Sequence, residues 1–256
     1  MMTISRPWLE DRAAELKASV VFLTRLPFVA ATPVTGSTLA RAAWAFPLAG
    51  LVVGLIGAFV YGLSHKLGLP PWPAAALAIA ATMLATGCLH EDGLADTADG
   101  FGGGRTRERK LEIMRDSHIG AYGVCALLLS VILRAGALSS FANAHLAVWS
   151  LIAAHGAARA AMPALMLLLP PARSDGLSFD AGRPPLQSAA AAAVLGFVIL
   201  AICLHPGRGL LALIFLAVAV AVMAWLSRSQ IGGQSGDVLG ALEQVSEIVV
   251  LLVALG

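Results

Sequence analysis

Seven stretches of roughly twenty predominantly apolar residues decide what this chain can fold into. They run over 42–63, 72–89, 119–141, 145–169, 188–204, 209–226 and 238–255. A chain of 256 residues, 58% hydrophobic and 12% charged, is far oilier than a water-soluble domain. Lipid offers no hydrogen-bond partners, so a crossing segment must satisfy its own backbone, which a helix does. The expected fold class is all-α, a polytopic integral membrane helical bundle of about seven transmembrane helices. Residues 1–256 form a single membrane-embedded domain in this reading. Residues 8–28 carry charges among apolar positions and end at Arg25-Leu-Pro27, which predicts an N-terminal amphipathic helix lying in the interface. Gly50, Gly54 and Gly57 in the first span predict close helix packing.

The connecting segments give the orientation. Taken on alternate sides, they hold thirteen basic residues against two, so the N-terminus and all three long polar segments are expected in the cytoplasm. The charged N-terminus has no apolar core directly after a basic start, which argues against a cleaved signal peptide. Cys88, Cys125 and Cys203 lack metal-ligand or disulfide spacing and read as small apolar fillers. A net charge of +2 with no basic tail gives no reason to expect nucleic acid as a partner.

Against this background the segment 87–123 stands out. Seven of the fifteen acidic residues lie between Glu91 and Asp116, and five of the seventeen basic ones between Arg105 and Arg115. If 90–99 is helical, Asp92, Asp96 and Asp99 fall on one stripe of one face. Stacked carboxylates repel and call for a cation. Mg²⁺ suits them, because it takes oxygen ligands and shares its shell with substrate phosphates. Gly100 and Gly102 to Gly104 let the backbone approach a ligand, and Arg105, Arg107, Arg109 and Lys110 can hold phosphate oxygens. Carboxylates, a flexible turn and cations together point to metal-assisted phosphoryl chemistry. The competing reading is a solvated loop with balancing charges. An EF-hand would need an oxygen ligand at Ala95, and a Walker loop would need Gly-Lys-Ser/Thr; both are excluded.

Two further polar segments accompany it. The loop 170–187 is rich in Pro, Gly and Ser and carries Arg173, Asp175, Asp180 and Arg183, which reads as a lid or substrate contact rather than a bare connector. In the motif 231–247, Gly232, Gly233 and Gly236 open a turn, Asp237 can cap the following helix, and its free N–H groups can cradle an anion. Glu243 and Glu247 then lie one helical turn apart inside a span. Arg134 and Arg159 are also intramembrane charges, which by default mark function or pairing. Arg159 shares a face with His155 and could reach a phosphate or a metal-site carboxylate. Arg134 reads equally well as half of a structural ion pair. His65, His145 and His205 sit near span ends, where interfacial position explains them.

Assembled in order, these segments resemble the cobalamin synthase family, the adenosylcobinamide-GDP ribazoletransferases. The resemblance rests on Phe22-Leu-Thr-Arg-Leu-Pro27, Phe46-Pro-Leu-Ala-Gly50, His90-Glu-Asp-Gly-Leu-Ala-Asp-Thr-Ala-Asp-Gly100 and Glu112-Ile-Met-Arg-Asp-Ser-His-Ile-Gly120. Arg159, Ala172-Arg-Ser-Asp-Gly-Leu177 and Gly232-Gly-Gln-Ser-Gly-Asp-Val-Leu-Gly-Ala241 complete it, so it spans nearly the whole chain. Glu91 and Ser235 depart from the pattern, where an apolar or variable residue and Thr are expected. The resemblance implies attack by a hydroxyl of α-ribazole, or its 5′-phosphate, on the cobinamide-linked phosphorus of adenosylcobinamide-GDP, releasing GMP. This is the late step of vitamin B12 nucleotide-loop assembly. It also implies Mg²⁺ and a place in the cell inner membrane, with a homo-oligomer and association with other pathway enzymes as possible partners.

On that basis Asp92, Asp96 and Asp99 are the expected metal ligands, and Asp116 completes the site or takes the nucleophile's proton. His90 is a second candidate base. Arg105, Arg115 and Arg159 are expected to clamp phosphates, with Ser117 and Gly233 in the substrate-binding set. Asp237 holds a second metal or orients the ribazole. A CDP-alcohol phosphotransferase-like enzyme is the nearest rival, since Asp96-Thr-Ala-Asp99-Gly100 echoes its pattern. However, Gly102-Gly-Gly-Arg105 replaces that family's Ala-Arg. A transporter would predict internal repeats and midplane charge, and no repeat links the His90 and Gly232 motifs.

Overall fold

The structure, a computed structural model, describes residues 6–27 and 35–256; residue 28, the end of the expected interfacial helix, lies outside them. Among the described residues the chain is helical throughout. Helix α1 (Arg6–Leu23) leads to α2 (Gly36–Ala42), a 3₁₀ turn (Ala43–Ala45) and α3 (Phe46–Lys66). Then come α4 (Pro71–Thr86), α5 (Leu89–Gly103), α6 (Arg107–Ile113), α7 (Ala121–Ser140) and α8 (Ala144–Leu168). A short α9 (Leu177–Ala181) precedes α10 (Leu186–Leu204), α11 (Pro206–Ile231) and α12 (Gly236–Leu255).

Six segments are long and apolar enough to cross a bilayer alone: 36–66, α7, α8, α10, α11 and α12. The seventh expected span, 72–89, falls on α4, which forms a bent pair with α5, turning by 91° at Gly87-Cys88. What reads in the sequence as an apolar span followed by a polar loop is therefore two helices set nearly at right angles, a broken span or a re-entrant loop by length and composition, the second of them acidic. The reason is local: Gly87 takes a left-handed conformation (φ 65°) that closes α4, and Cys88 follows it (φ 58°) before α5 restarts.

Helix α8 is the central strut, buried along most of its length. Gly50 brings α3 hard against it, for a side chain there would sit 2.2 Å from the His155 carbonyl oxygen. The outer faces of α7, α10 and α11 expose Leu128, Ile132, Ile202, Ile214 and Phe215, a pattern suited to lipid. In α1 only the second half packs; Trp8 and Leu9 remain exposed, in keeping with an interfacial helix.

The α5–α12 crossing sets up the site. A methyl group added at Gly93 would meet the Asp237 carbonyl oxygen at 2.7 Å, and one at Gly240 would meet the His90 Cα at 3.2 Å. The two backbones touch, so no side chain separates their polar faces. Gly93→Ala is expected to push α5 off α12, lowering the melting temperature in detergent and cutting turnover at least tenfold. Comparing the melt and the activity of this variant checks both effects.

Candidate active site

Three polar segments distant in sequence are tied together at one end of the bundle. Residues 170–172 run parallel to the turn before α12: Ala172 donates its N–H to the Gln234 carbonyl (2.7 Å), and Gln234 donates to that of Pro170 (2.8 Å). Gly233 allows this, since a Cβ there would lie 2.3 Å from the Pro170 oxygen. Arg107 of α6 donates to the Ala172 carbonyl (3.0 Å), and Arg173 donates to that of Leu111 (3.4 Å). Ser235, rather than Asp237, caps α12, accepting from the Val238 N–H. Asp237 stands in the first turn, where Arg173 (3.3 Å) and Ser235 (3.2 Å) donate to it.

The acidic stripe exists, for α5 is a helix over Leu89–Gly103. Its three carboxylates do not act alike. Asp92 is exposed and Asp96 half-buried. The charges that bear most on Asp96 are Asp92, Asp237, Asp99 and the cation Arg173. Asp99 is buried and turned to the start of α7, where it accepts from the N–H groups of Gly120 (2.7 Å) and Gly123 (2.9 Å). The oxygens of Asp92, Asp96 and Asp99 do not draw within 4.8 Å of one another. The expected trio is thus divided: Asp99 fastens α5 to α7, while Asp92 and Asp96 face the Asp237 turn.

Two cavities meet at Asp92. The inner one, about 260 Å³, lies between α5, α8, the 171–181 segment and the α12 turn; His90, Arg173, Gln234 and Asp237 line it. The outer one, about 500 Å³, is bounded by Glu91, Asp96, Arg115, Asp116, Ser117 and His118. Asp116 is paired with His118 (2.6 Å), a hydrogen bond that holds its carboxyl below the usual carboxylate range and makes it a weaker base. Arg115 is exposed and pairs with Asp175, and exposed Arg105 has no ion-pair partner among the described residues.

Arg159 does not fit the phosphate role. It is 1% exposed and bonded to Glu243, with Glu247 at 3.4 Å and the His155 carbonyl at 3.1 Å. Arg134 joins Glu247 (3.0 Å) to Glu91 (3.3 Å), and Gln244 donates to Glu91 (3.3 Å) and accepts from Ser130 (3.0 Å). His155, Glu243 and Glu247 offer ligand atoms within 4.8 Å of one another, the spacing of a metal shell. Two guanidiniums and His155 face the three carboxylates there, an ion-pair network that locks α5, α7, α8 and α12 together.

The profile of the cobalamin-5-phosphate synthase family matches residues 15–255. The chain belongs to the cobalamin-5-phosphate synthase family. A relative from Bradyrhizobium diazoefficiens, described as adenosylcobinamide-GDP ribazoletransferase, is 58% identical over 241 residues, covering 94% of this chain and 93% of its own length. Relatives with the same description from Mesorhizobium japonicum and Azorhizobium caulinodans are 55% and 44% identical, covering 92% and 93% of this chain and 90% and 94% of their own. No solved structure matches.

For a member of the cobalamin-5-phosphate synthase family, the sequence reading missed two features of this site. Arg173 reads as one charge of a lid, whereas it is the cation that binds Asp237. Gln234 reads as a spacer between glycines, whereas it is 1% exposed and holds Ser178 (2.6 Å) over the inner cavity. Its place between Gly233 and Ser235 was the available signal, since polar residues in so tight a turn are held by backbone pairing.

Proposed function

We propose that this chain is a transferase that joins adenosylcobinamide-GDP to α-ribazole, or to its 5′-phosphate. It forms adenosylcobalamin, or its 5′-phosphate, and releases GMP. Family membership supports the activity, and the observation that carries the site is the backbone contact of α5 with α12 at Gly93 and Asp237, which sets the α12 turn beside the acidic helix. In the reaction the ribazole hydroxyl forms a new bond to the cobinamide-linked phosphorus, its proton leaves, and the bond from that phosphorus to GMP breaks.

A Mg²⁺ ion belongs to this reading. Its fit rests on the chemistry of the donor set: the charges of Asp92, Asp99 and Asp237 bear on Asp96, a surplus of hard oxygen donors that a divalent cation neutralises, although the oxygens of Asp92, Asp96 and Asp237 do not draw within 4.8 Å of one another. Asp92, Asp96 and Asp237 are the residues that would hold it, and its chemistry there is to polarise the diphosphate and stabilise the departing GMP. The chain's own groups do the rest. Arg115, exposed at the outer cavity, can exchange Asp175 for a phosphate, and Ser117 offers a hydroxyl on the same wall. Asp116, in the outer cavity wall, remains the candidate proton acceptor, whereas His90 in the inner wall does not, because its Nδ1 already accepts from Arg159. The site opens towards the cytoplasm and the protein resides in the cell inner membrane, a placement supported by the thirteen-to-two excess of basic residues on that face.

Purified protein in detergent, given adenosylcobinamide-GDP, α-ribazole and Mg²⁺, is expected to release GMP and form the corrinoid product in equal amounts. EDTA should stop the reaction and added Mg²⁺ restore it. Folded protein that makes no such product, and acts instead on a CDP-linked lipid, would overturn the reading.

A further inference from the structure

The inner cavity has a property that neither the family nor the acidic stripe explains. Its far wall is apolar, built from Leu39, Phe46, Met162, Met166, Phe179 and Leu239. Among the described residues its polar wall contributes three buried nitrogen atoms without partners, Nε2 of His90, Nε of Arg173 and Nε2 of Gln234, the first and last on residues about 1% exposed. All three are donors. Arg159 can only donate, and its Nη2 lies 3.3 Å from Nδ1 of His90, so that nitrogen accepts and the neutral ring carries its proton on Nε2. The Gln234 oxygen already accepts from Ser178, which fixes the amide nitrogen as the free end. A buried donor left unmet is costly, so a cavity with three of them is shaped for a ligand bearing acceptors.

We propose that the inner cavity is the acceptor subsite. It takes the α-ribazole, its flat aromatic base against the Met and Phe wall and its nitrogen and hydroxyl acceptors on His90 and Gln234. This rests on the transferase reading and adds to it a place for one substrate. A volume of about 260 Å³ suits a bicyclic base and its sugar and is far too small for a corrin ring. The corrinoid diphosphate then approaches through the larger outer cavity, past Arg115 and Ser117, and the two substrates meet at Asp92, which both cavities share.

The test is the KM of each substrate in two variants, Gln234→Leu and Phe179→Ala. Phe179 is 45% exposed on a short helix, so its loss leaves the bundle intact. The first change removes one hydrogen-bond donor from the subsite, the second one apolar wall. Each is expected to raise KM for α-ribazole about tenfold and to move KM for adenosylcobinamide-GDP less than twofold. Equilibrium dialysis of labelled α-ribazole alone, against wild type and both variants, should give the same ordering without turnover. A rise for the corrinoid alone, or equal rises for both substrates, overturns the subsite. Failure of wild type to turn over would sink the transferase reading instead, and the dialysis tells the two apart.

Discussion

Asp96→Asn is expected to lower turnover about a thousandfold while leaving the melting temperature in detergent unchanged or slightly raised. The amide keeps the size and shape of the carboxylate but removes one negative charge from a group that includes Asp92, Asp99 and Asp237. Like charges close together destabilise a fold, so relieving one costs nothing in stability. The same charge is what a divalent ion needs, and losing a preorganised electrostatic partner of the reacting phosphate typically costs two to three powers of ten. Turnover at saturating Mg²⁺, a Mg²⁺ titration and a melt decide it. Full activity in this variant would remove the α5 stripe from the chemistry.

The second large effect has the opposite pattern. Arg159→Met should destabilise the protein by about 3–5 kcal/mol, because Glu243 and Glu247 are left buried with much of their counter-charge gone. Those carboxylates are 0% and 2% exposed, so water cannot take over. Adding Glu243→Gln and Glu247→Gln to the same chain should recover much of the loss, since an apolar Met beside neutral amides leaves no naked charge. Turnover per folded molecule should fall far less than in Asp96→Asn. A melt unchanged by Arg159→Met, with a raised KM for adenosylcobinamide-GDP, would return this arginine to phosphate binding.

The fold was largely legible because membrane crossings leave long apolar runs, and those runs map onto six straight spans with small shifts at their ends. The seventh run, 72–89, maps onto α4, but apolarity says little about where a helix turns, and the turn that follows depends on the backbone at Gly87 and Cys88. The stripe on α5 was readable from its own spacing, a local property. What Asp99 does was not, because its partners are backbone N–H groups about twenty residues away, which any sequence supplies. Likewise Glu243 and Glu247 announced themselves as charges out of place, and Arg159 announced itself the same way. That they satisfy one another is a fact of how α8 lies against α12. Glu91, at a position read as apolar or variable, is paired in its burial with Arg134, forty-three residues on.

The break between α4 and α5 has a consequence for the surrounding lipid. The sixteen residues of α4 rise only about 24 Å, some 6 Å short of a typical hydrocarbon core. Helix α5 leaves α4 at 91°, and its acidic face cannot be immersed in acyl chains. The bilayer beside it must thin to meet the shorter helix, a hydrophobic mismatch that draws the headgroups inward on the side carrying the polar loops. A charged, water-borne nucleotide conjugate can thus descend to Asp92 through a hydrated dimple and never has to leave water for oil.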